Sequence, residues 1–458
     1  MGRRRLSVIR FVTLSCVVST LLLVSFNLPV TASFELPVLN VDTGVHYATI
    51  QDAIDAEETL DGHTLLVDAG TYVENVVVHK QLRLIGDGPD VTRITATALG
   101  KDAIHVTANN VQVSGFTIAN ATQWYPAGCG VSIDQVNNVT LSNNSIMNNT
   151  YAIAMDSATN CTIENNRIVF NYFGLNLERG NQDNTIRGNN ASVNEVYGLV
   201  IWAGSDNNRV VNNVFVANGK GITLGYSEFN LITYNTVSEN AMGIEVQQIS
   251  HNNTFVHNNV LNNDVPVGGR QLAASVNRWD DGHPSGGNYW STYTGVDADH
   301  DGIGDTPLHL DANNTDAYPL MGRFSDFHAF AEYTVQTICT SAISNFQCDG
   351  TTIRFNITGA SGTEGACRIC IPTGLIAGPY TIVVNGIDEP YTLLPCSTTT
   401  QNYLYFTYHH STQEVIISPQ RPSNGVGSPL FATYAIIAGV ALMALTGGVL
   451  LMRRRGPR

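Results

Sequence analysis

The chain has 458 residues, 43% of them hydrophobic and 13% charged, enough apolar material for a packed core and too much for a disordered chain. Its formal charge is −15, but eight of the 23 basic residues lie in two terminal segments without acids, leaving 15 basic against 38 acidic residues, or −23. That balance excludes a nucleic-acid or anionic-polymer binder acting through general electrostatics, and it suits cations, neutral glycans or a high-salt surface.

In chain order, Arg3, Arg4, Arg5 and Arg10, an apolar stretch from Phe11 to about Val24, and Val30 to Ser33 read as a secretory signal over residues 1–33. Residues 34–265 come next. From His46 to Ala108 they read as irregular first coils: Ile50, Ala53 and Ile54 at helical spacing suggest a capping helix, and Leu65 to Val67, Tyr72 to Val78 and Leu82 to Ile85 suggest strands.

From Gly130 to Asp264 one pattern recurs every 22 to 24 residues. Gly130, Ala152, Gly174, Gly198, Gly221 and Gly243 set its register, each followed by an apolar pair such as Val131/Ile133 or Ile222/Leu224. A second apolar column starts at Leu141, Ile163, Ile186, Val210, Ile232 and Phe255. Two asparagine columns complete the unit, Asn144, Asn166, Asn189, Asn213, Asn235 and Asn258, and Asn149, Asn171, Asn194, Asn218, Asn240 and Asn263. This period is too short for helix pairs and fits one coil of a parallel β-solenoid, in which equivalent residues stack about 4.8 Å apart. An inward asparagine amide can then donate to one neighbouring coil and accept from the other. Glycine at the coil corner is expected to supply positive φ.

Composition changes at Arg270, within a segment taken as 266–325. There Asp297, Asp299, Asp301 and Asp305 occupy positions 1, 3, 5 and 9 of a loop, with Gly302 at 6 and the Ile303 carbonyl at 7. Hard cations take six to eight oxygens, and this spacing offers alternate carboxylates around a sharp turn, so structural calcium is expected, locking the segment over the last coil. The loop resembles EF-hand-like and thrombospondin type 3 loops but has Leu308 at position 12, leaving water, Asp311 or Asp316 as further ligands. Residues 326–418 show period-2 runs of a small β-sandwich. Its Cys339, Cys348, Cys367, Cys370 and Cys396 are expected to form disulfides in an exported chain, although seven cysteines follow the signal and one must stay unpaired. Residues 419–429 read as a linker, Leu430 to Met452 as a membrane-spanning helix, and 453–458, with four arginines, as a cytoplasmic tail that leaves the rest outside the cell. Nine sequons, at Asn120, Asn138, Asn143, Asn148, Asn160, Asn190, Asn252, Asn313 and Asn356, avoid the two ladder columns and could carry glycan.

The run Tyr47 to Asp55, the segment Ala69 to Asn75 and the coils resemble the pectin-lyase-like right-handed parallel β-helix superfamily, most closely its NosD-like branch, described for carbohydrate-binding proteins and sugar hydrolases. The stretch through Asp316 to Met321 is similar to the segment that follows such repeats in archaeal surface proteins. The resemblance implies the fold. It leaves the activity open, because the superfamily holds lyases, hydrolases, epimerases and adhesins.

Four residues after successive corners come Asp134, Asp156 and Glu178, then Trp202, with Tyr197 and Tyr226 nearby. Paired carboxylates can act on glycosidic bonds and aromatic faces can hold sugar rings. Two such charges about 5 Å apart repel by about 1 kcal/mol in water and about 3 at an effective dielectric of 20, which an exposed ladder tolerates without any function. The column also lacks the base that uronate lyases use. The expected protein is therefore all-β, a right-handed parallel β-helix followed by a β-sandwich and a transmembrane helix, presenting its outer face to an extracellular glycan or cell-envelope component. A polysaccharide lyase or glycoside hydrolase is the alternative, with Asp134, Asp156 and Glu178 catalytic. A second alternative, implied by the resemblance, is periplasmic copper handling. Copper would want clustered His, Met or Cys, whereas His251, His257, Met147, Met155 and Met242 are dispersed.

Overall fold

The computed structural model describes residues 36–97, 100–122, 128–247, 249–270 and 272–420. The expected signal and the Leu430 to Met452 span lie outside them, and no helix among the described residues is long and apolar enough to cross a membrane. Two compact units emerge: the chain up to Gly295 with Thr306–Pro319, and Val296–Asp305 with the chain from Leu320 onward. The Asp-rich loop thus belongs to the second unit, and the expected 266–325 segment is divided between the two.

The first unit is a parallel β-solenoid of the right-handed type. Each coil lends one strand to each of three sheets, of 11, 10 and 9 strands. In one coil these are Thr140–Ser142, Ser145–Met147 and Tyr151–Asp156. The register is strict: Leu141 pairs with Ile163, Ile146 with Ile168 and Ile153 with Leu175. All six are buried, and each such side chain contributes about 1.5–3 kcal/mol of hydrophobic stabilisation.

Short strands need sharp corners, and the corners follow one rule. A residue in the left-handed region turns the chain, and the next residue points inward as a ladder asparagine: Asn143 (φ 55°) precedes Asn144, Asn148 (φ 56°) precedes Asn149, and Phe170 (φ 58°) precedes Asn171. Positive φ is therefore supplied by these corner residues and not by the register glycines, contrary to the expectation above. Gly130, Gly174, Gly198, Gly221 and Gly243 lie in strands without left-handed φ. They are small because the coils approach closely: a Cβ on Gly198 would stand 2.7 Å from the Gly221 carbonyl oxygen and 3.0 Å from Asn218 Nδ2. Eight of the nine sequon asparagines are exposed, and Asn356 is half-buried.

The asparagine columns align as ladders. Asn213 Oδ1 accepts from the backbone N and the Nδ2 of Asn189, at 2.9 and 3.0 Å, while its own Nδ2 donates to Ile186 O, Val211 O and Asn235 Oδ1. A third ladder, not anticipated, runs from Asn184 through Asn208, Asn230 and Asn253 to Asn277.

Each end is closed by different means. At the start, helix Ile50–Asp55 is capped by the Thr49 side chain, and Glu74 accepts from the Ile50 and Gln51 amides at its N-terminus. At the far end Trp279 stacks on Phe255 at 4.4 Å, and the indoles of Trp279 and Trp290 donate to Asn314 and Asp316. Asn314 accepts from the Asn277 amide, and Asp316 Oδ2 from the Asn288 amide. Burial pushes Asp316 up to about 6, against the indole and amide donors that favour its charged form. In the second unit two antiparallel five-stranded sheets enclose one core containing Val335, Phe355, Ile369 and Phe406.

Asn213→Ala is expected to cost about 2–4 kcal/mol in urea unfolding, since it strands the buried Asn189 amide and the Ile186 carbonyl, whereas the exposed neighbour variant Asn212→Ala costs about 1. Asp316 binds its proton more tightly folded than unfolded, so its contribution is complete below about pH 3.8 and is lost as pH rises through about 6, by about 3 kcal/mol. Asp316→Asn should remove that slope from the pH profile of the unfolding free energy.

Candidate functional site

The third sheet displays three outward columns: strand alternation sets those of Ala154 and Asp156, and a further one lies where each strand begins. The first, one residue ahead of the register glycines, runs Cys129, Tyr151, Phe173, Tyr197, Lys220 and Met242. Its rings stack, with Tyr151 to Phe173 at 4.6 Å and Phe173 to Tyr197 at 5.6 Å, and Lys220 Nζ sits 5.3 Å over Tyr197 from the other side. Phe173 and Lys220 flank Tyr197 from opposite coils, so both faces of the ring are covered and only its edge points out. Tyr197 does not join Trp202 in a platform, since the two stand at opposite ends of strand Tyr197–Trp202.

The third column brings together Asp134, Asp156 and Glu178 in register, followed by Trp202, Gly225 and Gln247. Each acid has a partner of its own. His105 Nε2 lies 3.0 Å from Asp134, an ion-pair distance without hydrogen-bond alignment, Arg179 lies 2.6 Å from Asp156, and Asn176 Nδ2 donates to Glu178 at 3.1 Å. The His105 pairing holds Asp134 below the usual carboxylate range, which makes it an acceptor and not a proton donor. His105 is in turn raised, first by Asp134 and then by Asp102, whose carboxylate lies 3.8 Å from Nδ1. In the middle column Glu245 takes a salt bridge from Lys220 at 2.7 Å and a hydrogen bond from Thr223 at 3.2 Å.

Trp202 owes its place to the next coil. A Cβ at Gly225 would lie 2.1 Å from the Trp202 ring, so glycine there leaves room for the indole. Tyr226 meets Trp202 edge-on, at 5.9 Å and 87°, and is 51% exposed.

In the second unit Asp297, Asp299 and Asp301 each offer a carboxylate oxygen, all within 4.8 Å of one another. The loop is wound by its own acids. Asp297 accepts from the Asp301 and Gly302 amides, both at 2.9 Å, and Asp301 accepts from the Ile303 amide at 2.8 Å. Burial raises Asp297, and the charges on Asp301 and Asp299 raise it further. Asp305 stands apart from the group and accepts from the Ala298 amide at 2.6 Å. Asp311 and Asp316, left open above as further ligands, are engaged in the first unit, Asp311 with the Asn313 and Asn314 amides and Asp316 with Asn288 and Trp290.

The model of the family described as Periplasmic copper-binding protein (NosD) matches residues 86–220 and 216–295. The chain is a NosD-like parallel β-helix protein. It is 35% identical over 111 residues to a cell surface glycoprotein of Methanothermus fervidus, covering 24% of this chain and 17% of that one. It is 29% identical over 146 residues to a probable ABC transporter binding protein NosD of Pseudomonas aeruginosa, covering 28% and 32%. The matches thus span a third or less of those relatives' own length. Among solved structures, the pectate lyase Pel9A aligns over 57% of this chain and 78% of its own at 15% identity and a TM-score of 0.39. A mannuronan C-5 epimerase A-module of Azotobacter vinelandii aligns over 46% and 72% at 17% identity and a TM-score of 0.34.

The family description names copper. The grouped donors among the described residues are three carboxylates, whereas copper favours imidazole, thiolate and thioether. His257 stacks on Tyr234 and contacts the Ser285 carbonyl, and His251 accepts from the Val276 amide. Sequence reasoning missed His105, Asp102 and the aromatic stack. The stack had a signal, since Tyr151, Phe173 and Tyr197 each precede a register position; the histidine lies one coil before the regular repeat and had none.

Proposed function

We propose that this is an extracellular or envelope scaffold whose third sheet binds a neutral glycan. The relatives, a cell surface glycoprotein and a probable ABC transporter binding protein NosD, support such a location. The single observation that carries the reading is Trp202, seated over Gly225 with Tyr226 edge-on beside it, at the end of a polar column. An aromatic ring face offers an apolar surface to sugar C–H groups, the perpendicular Tyr226 walls it on one side, and the adjoining Glu178, Asn176, Asp156 and Arg179 supply hydroxyl acceptors and donors. Asp134, held low beside His105, suits binding better than proton donation, because a glycosidase pair needs one carboxyl held protonated beside an ionised one. A membrane anchor through Leu430 to Met452 would hold the solenoid at the cell surface. On a glycan array the purified protein should bind a defined subset. Trp202→Ala should weaken that binding at least about tenfold, about 1.4 kcal/mol, while Tyr197→Ala, whose ring faces are covered, stays within about twofold. Equal losses in both variants would overturn the assignment.

The loop Val296–Asp305 would hold calcium through Asp297, Asp299 and Asp301, with the Ile303 carbonyl and Asp305 completing the set directly or through water. The ion would offset the burial, and the lesser repulsion from Asp301 and Asp299, that now raise Asp297. Calcium at 100 times its dissociation constant should stabilise the second unit by about 2.7 kcal/mol, and Asp301→Asn should abolish that shift in thermal unfolding. A midpoint indifferent to both calcium and chelator would sink the claim.

A further inference from the structure

We infer that Cys339 and Cys367 are joined by a cross-strand disulfide in the second unit. Strands Thr334–Cys339 and Glu364–Pro372 run antiparallel with Cys339 directly opposite Cys367. The backbone decides which kind of pair this is. Thr340 N donates to Ala366 O at 3.0 Å, so the ladder bonds flank the two cysteines and do not join them. In such a non-hydrogen-bonded pair the Cα atoms approach to about 4.5 Å with both side chains on one face. A disulfide spans about 4.4–6.8 Å between Cα atoms, so this register accepts the bridge at the short end of that range without moving either strand.

The surroundings fit the same outcome. Cys339 and Cys367 are 1% and 0% exposed and face the sandwich core. Cys339 Sγ lies 3.2 Å from the Tyr408 hydroxyl, which itself donates to Ser341 Oγ at 2.8 Å. Loss of the thiol proton therefore leaves the phenol's own hydrogen bond intact and creates no orphaned donor. No other cysteine among the described residues has a cysteine as strand partner: Cys370 faces Gln336 and Tyr403, Cys348 faces Ile353, and Cys129 faces Tyr151.

Formation proceeds by exchange with a small-molecule or protein disulfide while the strands are still assembling, since the folded core shields both sulfurs. One cysteine thiolate attacks the reagent and expels one thiolate. The second cysteine then displaces the other reagent sulfur, so the reagent S–S bond breaks, the protein S–S bond forms, and the two cysteine protons end on two released thiols.

The test refolds the reduced protein with oxidised glutathione, blocks free thiols with iodoacetamide and maps the digest by mass spectrometry. A peptide pair linked through Cys339 and Cys367 is expected, with a reductant-sensitive drop of several degrees in the melting of the second unit. The double variant Cys339→Ala/Cys367→Val should melt at one temperature with and without reductant. Alkylation of both residues after oxidative refolding, or a link from either to another cysteine, would overturn the inference.

Discussion

The solenoid stands on one reciprocal contact, the buried asparagine amide that accepts from one coil and donates to carbonyls on both sides. Every corner removes backbone groups from the sheets, and buried unpaired amides and carbonyls cost about 1–3 kcal/mol each. One inward asparagine satisfies several at once. Asn213 alone engages Asn189, Ile186, Val211 and Asn235. The demand propagates outward, because the residue ahead must adopt left-handed φ to turn the amide inward. That explains why exposed asparagines such as Asn143 and Asn148, tolerant of that conformation, crowd the corners. It also explains where the repeat can vary in length. From strand Gln112–Ser114 onward the corner between the first and second strands of a coil has two residues, as in Ser142 to Ser145 and Arg187 to Asn190, while the corner after the third strand has five or six.

The coils were legible in the sequence because burial and stacking repeat the same requirement every turn. Columns such as Ile153, Leu175 and Leu199 and both anticipated ladders sit where periodicity placed them. What misled was the reading of single residues by type. Glycine at the register position suggested left-handed φ, whereas Gly198 answers to the proximity of Gly221 and Asn218. The third ladder was obscured because the earlier coils carry Val139 and Cys161 at its position. The assignment of the Asp loop to the second unit depends on contacts such as Met321 N to Gly302 O, which no local spacing encodes. At the outer face, the carboxylate column was visible, but the partners His105, Arg179 and Asn176 come from different strands or corners and acquire meaning only in three dimensions.

An acidic chain that stacks identical positions must manage repulsion at each coil spacing. This face does so by assigning every carboxylate a cation or amide from its own or a neighbouring coil. The pairs are partly solvated, so each adds little stability, but together they let a ladder of negative charge persist beside an aromatic one.

The amide chain has a sense. From Asn144 to Asn288 every Nδ2 points to the oxygen of the next coil, and the series ends on Asp316, whose carboxylate only accepts. A polar chain of this kind can be lengthened anywhere along its interior by duplicating a whole turn, since each new amide is both host and guest to its neighbours. Only its terminator is irreplaceable, so the reach of the molecule is an evolutionary variable that its ends leave free.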